Sequence, residues 1–295
     1  MNKLFYFIWN IGFIESDIDS IILSDETLLE VKWLNHPYKD RFFADPFILS
    51  ITDQFIYVLV EEFVFSEKKG IISKLKIDKN YNLVGREIIC EQSFHQSYPF
   101  ILKNGDYVNV IPEASQSGCL FMYQYDSVKK ILINQKRIIN EPLLDASFIY
   151  YDNYWWVFAT KRGINANKEL FIYFSHSIDG DYKFHPSNPV IIDSSSARPA
   201  GNLVVVNDNI YRLVQVCNRT YGEFVRVYRV VNLNLQNFEE VFVKELRLNS
   251  SVYNQGFHTL NGQDNICVVD GLKRQFSPLN RLVNELKYYL NHGKE

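Results

Sequence analysis

The chain has 295 residues, 47% of them hydrophobic and 15% aromatic, and its 31 basic and 34 acidic side chains leave a formal net charge of -3. That is ample material for a packed core, and the scattered charge carries no basic footprint for nucleic acid. The four cysteines, Cys90, Cys119, Cys217 and Cys267, form no CxxC pair, so neither a disulfide framework nor a metal cluster is expected and a reducing compartment fits.

The apolar run at residues 4–9 is interrupted by Asn10 and followed by Glu15-Ser16-Asp17, with no small-residue cleavage site. Residues 1–30 are therefore expected to be a strand segment packing on the main body, and the chain to be cytoplasmic. From 31 to 275 one unit recurs. Ala44-Asp45-Pro46-Phe47-Ile48-Leu49 is echoed by Ser97-Tyr98-Pro99-Phe100-Ile101-Leu102, and more loosely by Asp145-Ala146-Ser147-Phe148-Ile149, Arg198-Pro199-Ala200-Gly201-Asn202 and Phe257-His258-Thr259-Leu260. A period of roughly fifty residues is the mark of a repeat architecture.

Each copy has an apolar strand, a polar turn and a returning apolar strand. The turns fall at Thr52-Asp53-Gln54, Asn104-Gly105-Asp106, Asp152-Asn153, Asn207-Asp208-Asn209 and Asn261-Gly262-Gln263-Asp264-Asn265. Asn, Asp and Gly tolerate the positive φ of tight hairpins. Further strands are expected at 71–77, 120–125, 170–175 and 224–231. Four strands per unit and five units predict an all-β fold, a five-bladed β-propeller, with a β-sandwich as the alternative. Ser277-Pro278 then opens an amphipathic helix over 276–295, with Leu279, Leu282, Val283, Leu286, Tyr289 and Leu290 at helical spacing. It is expected to lie on the propeller flank, with peripheral membrane or partner contact as the alternative.

In a propeller the innermost strands line a central channel, and their first residues meet at one mouth. The alignment of copies brings Asp45, Tyr98, Asp145, Arg198 and His258 there. A second set, from the ends of the returning strands, is Glu62, Glu113, Lys161, Gln215 and Asp270, and the adjacent Glu61 leaves open which of the pair 61/62 faces inward. Carboxylates from separate blades in one cavity suit glycosyl transfer, which needs a base or nucleophile and an acid. Asp45, Asp145 and Glu113 are accordingly the catalytic candidates. Glu62, His95, Tyr98, Lys161, Arg198, Gln215 and His258 are the substrate-binding candidates, Tyr98 as a sugar-stacking ring. Each has a structural alternative, Asp45-Pro46 as a turn opener and Arg198 as an ion-pair partner among them. No metal or other cofactor is expected.

These motifs resemble the five-bladed furanosidase superfamily, the arabinanase, invertase and mannosyl-phosphorylase group, in which Asp45 and Asp145 match an Asp early in blade one and a second in blade three. The chain is more closely similar to the propeller module found N-terminally in plant glucosamine inositolphosphorylceramide transferase and in bacterial proteins linked to formyltransferase-like domains. That resemblance rests on Phe43-Ala44-Asp45-Pro46-Phe47, Pro112-Glu113, His185-Pro186-Ser187-Asn188-Pro189, Ala197-Arg198-Pro199-Ala200-Gly201 and Gly256-Phe257-His258-Thr259. It implies a carbohydrate substrate. The furanosidase acid, a Glu in blade four, is missing, and Arg198 stands there instead. That departure points to a glycosyltransferase of bacterial surface-polysaccharide synthesis, with a phosphorylated sugar donor held by Arg198 and His258. A hydrolase or phosphorylase using Asp45, Asp145 and Glu113, and a non-catalytic glycan-binding propeller, are the alternatives.

Overall fold

The structure, a computed structural model, describes residues 5–105 and 107–276, together with Val283, Leu286, Tyr288 and Tyr289. The helix expected over 276–295 falls outside the two continuous stretches. Five sheets, antiparallel but for one edge strand, follow one another along the chain. Blade one holds Arg41–Ile51, Phe55–Val64, Lys69–Asp78 and Leu83–Cys90. Blade two holds Ser97–Asn104, Tyr107–Glu113, Leu120–Asp126 and Ile131–Ile139, and blade three begins with Leu143–Tyr151, Tyr154–Lys161 and Glu169–Ser175. Blade four runs Val204–Val206, Asn209–Gln215, Val225–Leu233 and Phe238–Asn249. The hairpins turn where Asp and Asn accept positive φ, at Asp152 (48°) and Asn153 (63°) and again at Asn207 (48°) and Asp208 (63°).

Blade five corrects the expectation for the N-terminal segment. Phe5–Ile14 does not pack upon the propeller; it pairs along its whole length with Ile266–Phe276, from Phe5 opposite Phe276 to Ile14 opposite Cys267. Leu260–Gln263 and Lys32–Trp33 complete that sheet. Leu28–Glu30 adds in parallel to the outer edge of blade four. A ring of blades must close, and here the two ends of the propeller zip into one sheet that buries Ile11 and Phe13 completely. The core lies between blades, as in the cluster where Ile11, Phe13 and Val268 of blade five meet Phe43, Val58 and Leu75 of blade one. Among the described residues no helix is long and apolar enough to cross a membrane.

One local device recurs in the inner strands. Asp45, Tyr98 and Asp145 all take left-handed φ, at 50°, 42° and 49°, inside a β-strand. At each the ladder register slips, between Ala44 and Phe47, between Ser97 and Phe100, and between Leu144 and Ser147. These are β-bulges, which bend a strand and re-aim a side chain. The shared Pro-Phe and Ser-Phe steps are therefore the strand resuming after its bulge.

Candidate active site

The three bulges bring side chains from separate blades together at the axis. The Asp45 carboxylate is buried; Oδ2 accepts the backbone N–H of Tyr98 (3.1 Å) and Oδ1 the Thr259 hydroxyl (2.9 Å). His258 Nε2 lies 3.4 Å from Asp45 Oδ1, and Nδ1 lies 2.7 Å from Asp270 Oδ2, off the line of its N–H. Asp270 in turn accepts the backbone N–H groups of His258 and Thr259, each at 3.0 Å, and of Asp45 at 3.1 Å. The Trp9 ring stacks on the imidazole at 4.1 Å.

A second cluster faces the first. Arg198 Nε donates to Asp145 Oδ2 at 2.6 Å, Nη1 to Asn167 at 3.0 Å, and Nη2 lies 3.8 Å from Glu113 Oε2. Gln215 Nε2 donates to Asp145 at 2.7 Å and to the Pro199 carbonyl at 2.7 Å. The Tyr221 ring lies against the guanidinium, 5.0 Å from it.

Burial and the crowding of acids set their protonation. Burial raises Asp45 to about 6, with the positive His258 pulling against it and Asp145 and Asp270 adding to it. Burial and the Asp145 charge raise Glu113 to about 8, partly offset by Arg198. Glu61 is held well above the carboxylate range by burial and by Asp45, Glu113, Asp270 and Asp145. Burial alone would lower His258, but Asp270 and Asp45 outweigh it and the imidazolium is favoured. Near neutrality the site thus holds an ionised Asp45 together with Glu113 and Glu61 carboxyls that keep their protons.

Of the expected residues, the structure gathers Asp45, Asp145, Glu113, Arg198, Gln215 and His258 at the axis. Tyr98 is there too, but not as a stacking ring: it is fully buried, packs edge-on against Phe47, and its hydroxyl donates to the Gly201 carbonyl at 3.0 Å. His95 sits at the rim, 3.4 Å from Glu61, with Nδ1 accepting the Gly70 N–H; burial, then Arg162, lowers its pKa.

Glu62 and Lys161 are corrections. Glu62 points into the sheet face of blade one, where Arg41, Arg86 and Ser73 hold it at 2.5, 2.5 and 2.6 Å. Lys161 pairs with Glu141 and lies over the Phe171 ring. The cause is register. Ala44 faces Glu61, Ser97 faces Glu113 and Leu144 faces Thr160, so Glu61 and Thr160 occupy the place of Glu113, while the next residue turns to the opposite face. Counting from the aligned phenylalanines, Leu59 opposite Phe47 and Ile111 opposite Phe100, recovers Glu61 from the sequence. Trp9 and Thr259 had no such signal.

Asp45, His258 and Asp270 have ligating atoms within 4.8 Å of one another, near enough to share a cation. Their oxygens already accept four backbone N–H groups and a hydroxyl besides facing the imidazole, whose buried Nδ1 has no hydrogen-bond partner. Gln215 Oε1 and Thr160 Oγ1 are likewise buried with no partner, and a ligand hydroxyl would satisfy either.

Residues 27–269 match the family described as glucosamine inositolphosphorylceramide transferase 1, N-terminal. The chain belongs to that family. Proteins named glucosamine inositolphosphorylceramide transferase 1 are 31% identical in Oryza sativa subsp. japonica, over 69% of this chain, and 27% identical in Arabidopsis thaliana, over 71% of it. The match covers 28% of each plant protein, so the chain spans under a third of the relatives' length. Among solved structures, the catalytic domain of a Coprinopsis cinerea GH62 alpha-L-arabinofuranosidase superposes with TM-score 0.57 at 7% identity, over 78% of this chain and 90% of that one. A family 117 glycoside hydrolase from Zobellia galactanivorans gives 0.52 at 9% identity, over 94% and 93%. At such identities the likeness is one of fold. The family's His185–Pro189 stretch is part of the scaffold: His185 bonds the Asn234 carbonyl, and Asn188 brackets both backbone groups of Ile172.

Proposed function

We propose that the axial site transfers a glycosyl group, with Asp45 as base and Glu113 as acid. The observation that carries this reading is the split between two buried carboxyls that both feel the Asp145 charge, one raised to about 6 and the other to about 8. Between those values Asp45 is ionised and Glu113 protonated. An acceptor hydroxyl gives its proton to Asp45 as its oxygen bonds to the anomeric carbon. The bond from that carbon to the leaving oxygen breaks with both electrons on the oxygen, which takes the Glu113 proton. His258, held cationic between Asp45 and Asp270, supports the ionised Asp45. Asp145, itself held by Gln215, orients Arg198, whose Nη2 has no hydrogen-bond partner among the described residues and can meet a donor phosphate oxygen.

Transfer rather than hydrolysis is favoured because the plant relatives carry the name of a transferase and because Arg198 stands where the resemblance to furanosidases leads one to expect a Glu. In its full form the proposal is a cytoplasmic glycosyltransferase that builds a surface polysaccharide from a phosphorylated sugar. The test is product analysis with purified protein, a panel of nucleotide sugars and aryl glycosides, and sugar acceptors. Glycoside formation that falls by about 10²-fold or more in Asp45→Asn, with thermal stability retained, is expected. Free sugar as the sole product would replace transfer by hydrolysis. Full activity in Asp45→Asn would remove the chemistry, and sugar binding without turnover would leave a binding module.

A further inference from the structure

A second cavity, of about 270 Å³, opens at the same end of the propeller between blades five and one. The strands that carry Asp45 and Asp270 continue past those residues to line it, through Arg41 on one side and Lys273 on the other. Trp9 forms its inner wall, and the same indole stacks on His258 of the axial site. The two spaces are therefore neighbours separated by one ring.

The lining has a defined chemical character. Arg41 is neutralised by Asp40 and Glu62, but Lys39 and Lys273 have no ion-pair partner among the described residues. Lys273 is lowered by burial and by Lys39. His36 is lowered to about 4 by burial and by both lysines, so at neutral pH it is uncharged and adds no positive charge. The same lining holds a buried acceptor without a donor. Asn10 spends its amide N–H groups on the Leu34 carbonyl at 3.0 Å and the Tyr253 hydroxyl at 3.1 Å, which leaves Oδ1 unpartnered. His36 Nδ1 is buried and unpartnered as well. Two uncompensated cations and an orphaned acceptor in a space walled by Trp9, Tyr38 and Tyr253 want one ligand with an anion, a hydroxyl and an apolar ring face.

We propose that this cavity is a second subsite, which takes a monosaccharide bearing a carboxylate or a phosphate. The anion lies on Lys39 and Lys273, a ring hydroxyl donates to Asn10 Oδ1, and the ring stands against Trp9. Its part as the acceptor side of the reaction rests on the glycosyl-transfer reading, whereas the binding itself does not. The cavity is close to the smallest pockets used for small ligands, roughly 300 Å³, so one ring is its capacity.

The experiment is calorimetric titration of the intact chain with D-glucuronate, D-glucose 6-phosphate, D-glucose and inorganic phosphate. Glucuronate or glucose 6-phosphate should bind, the tighter of the two identifying the anion, and D-glucose should bind at least about tenfold more weakly. The double variant Lys39→Gln, Lys273→Gln should weaken the preferred anionic sugar by at least about tenfold with its melting temperature unchanged. Should the double variant fail to fold, Lys39→Gln alone, at an exposed position, should weaken it by about threefold. Asp45→Asn should bind it as the native chain does, which keeps this result separate from the fate of the catalytic reading. Equal binding of glucose, binding of free phosphate as tight as that of glucose 6-phosphate, indifference to the lysine variants, or loss of binding in Asp45→Asn would each overturn the subsite.

Discussion

Asp45 and Glu113 show how identical chemistry diverges by surroundings. Both are buried carboxyls, but Asp45 has an imidazolium 3.4 Å away and two hydrogen-bond donors, whereas Glu113 faces Asp145 and has one hydroxyl donor, Ser115 at 3.0 Å. A base must be ionised, so kcat/KM should rise as pH increases through about 6, where Asp45 loses its proton. An acid must be protonated, so it should fall as pH increases through about 8, where Glu113 loses its own. A bell between these limits, with Glu113→Gln removing the alkaline limb's titration at much lower kcat, is the expected profile in a pH–rate series. An alkaline limb unchanged in Glu113→Gln would assign the acid elsewhere, and Glu61, raised by burial in the same cavity, is the next residue to test. The neighbouring Glu62, fixed by two arginines of its own blade, belongs to the scaffold.

At the level of the element, the bulge decides what a strand residue does. A flat inner strand would alternate its side chains across the sheet; the left-handed residue at Asp45, Tyr98 and Asp145 re-aims it towards the axis. Backbone strain of this kind costs on the order of 1–3 kcal/mol per residue and needs specific partners. For Tyr98, bulky and therefore the most strained, those partners are its N–H on Asp45 and its hydroxyl on Gly201 and Ser147. Tyr98→Phe should destabilise the protein by about 1–2 kcal/mol in denaturant unfolding. KM for any sugar should stay unchanged, because the ring is fully buried. A raised KM with unchanged stability would restore the stacking role. The repeat also shows how far alignment carries. The Pro-Phe-Ile-Leu echo marked the bulge position in blades one and two, and Asp145 followed. Inward-facing residues of the second strand depended on a register that a bulge shifts by one, which is why Glu61 and Thr160, rather than Glu62 and Lys161, face the channel.

Across the whole molecule, closure couples the ends of the chain to the site. Phe5–Ile14 completes blade five, and its Trp9 covers His258. Ile11 on that strand is fully buried, while Phe7 is about half exposed at 51%. Ile11→Ala should cost about 2–5 kcal/mol, and Phe7→Ala within about 0.5 kcal/mol, in thermal or chemical unfolding. A silent Ile11→Ala would mean the ring does not depend on this seam.

The repeat period, the turn residues and the alternation of apolar strands were enough to specify five blades and a mouth where Asp45, Asp145, Glu113, Arg198 and His258 meet, because these are local patterns repeated along the chain. The partner of each of these groups was decided only in three dimensions. Arg198 on Asp145, Asp270 beneath His258, Glu61 in place of Glu62, the closing strand and the lysine cavity beside it all join residues from different blades or opposite ends of the chain. Their pairing follows from bulge register and ring closure, and neither leaves a periodic trace in the sequence.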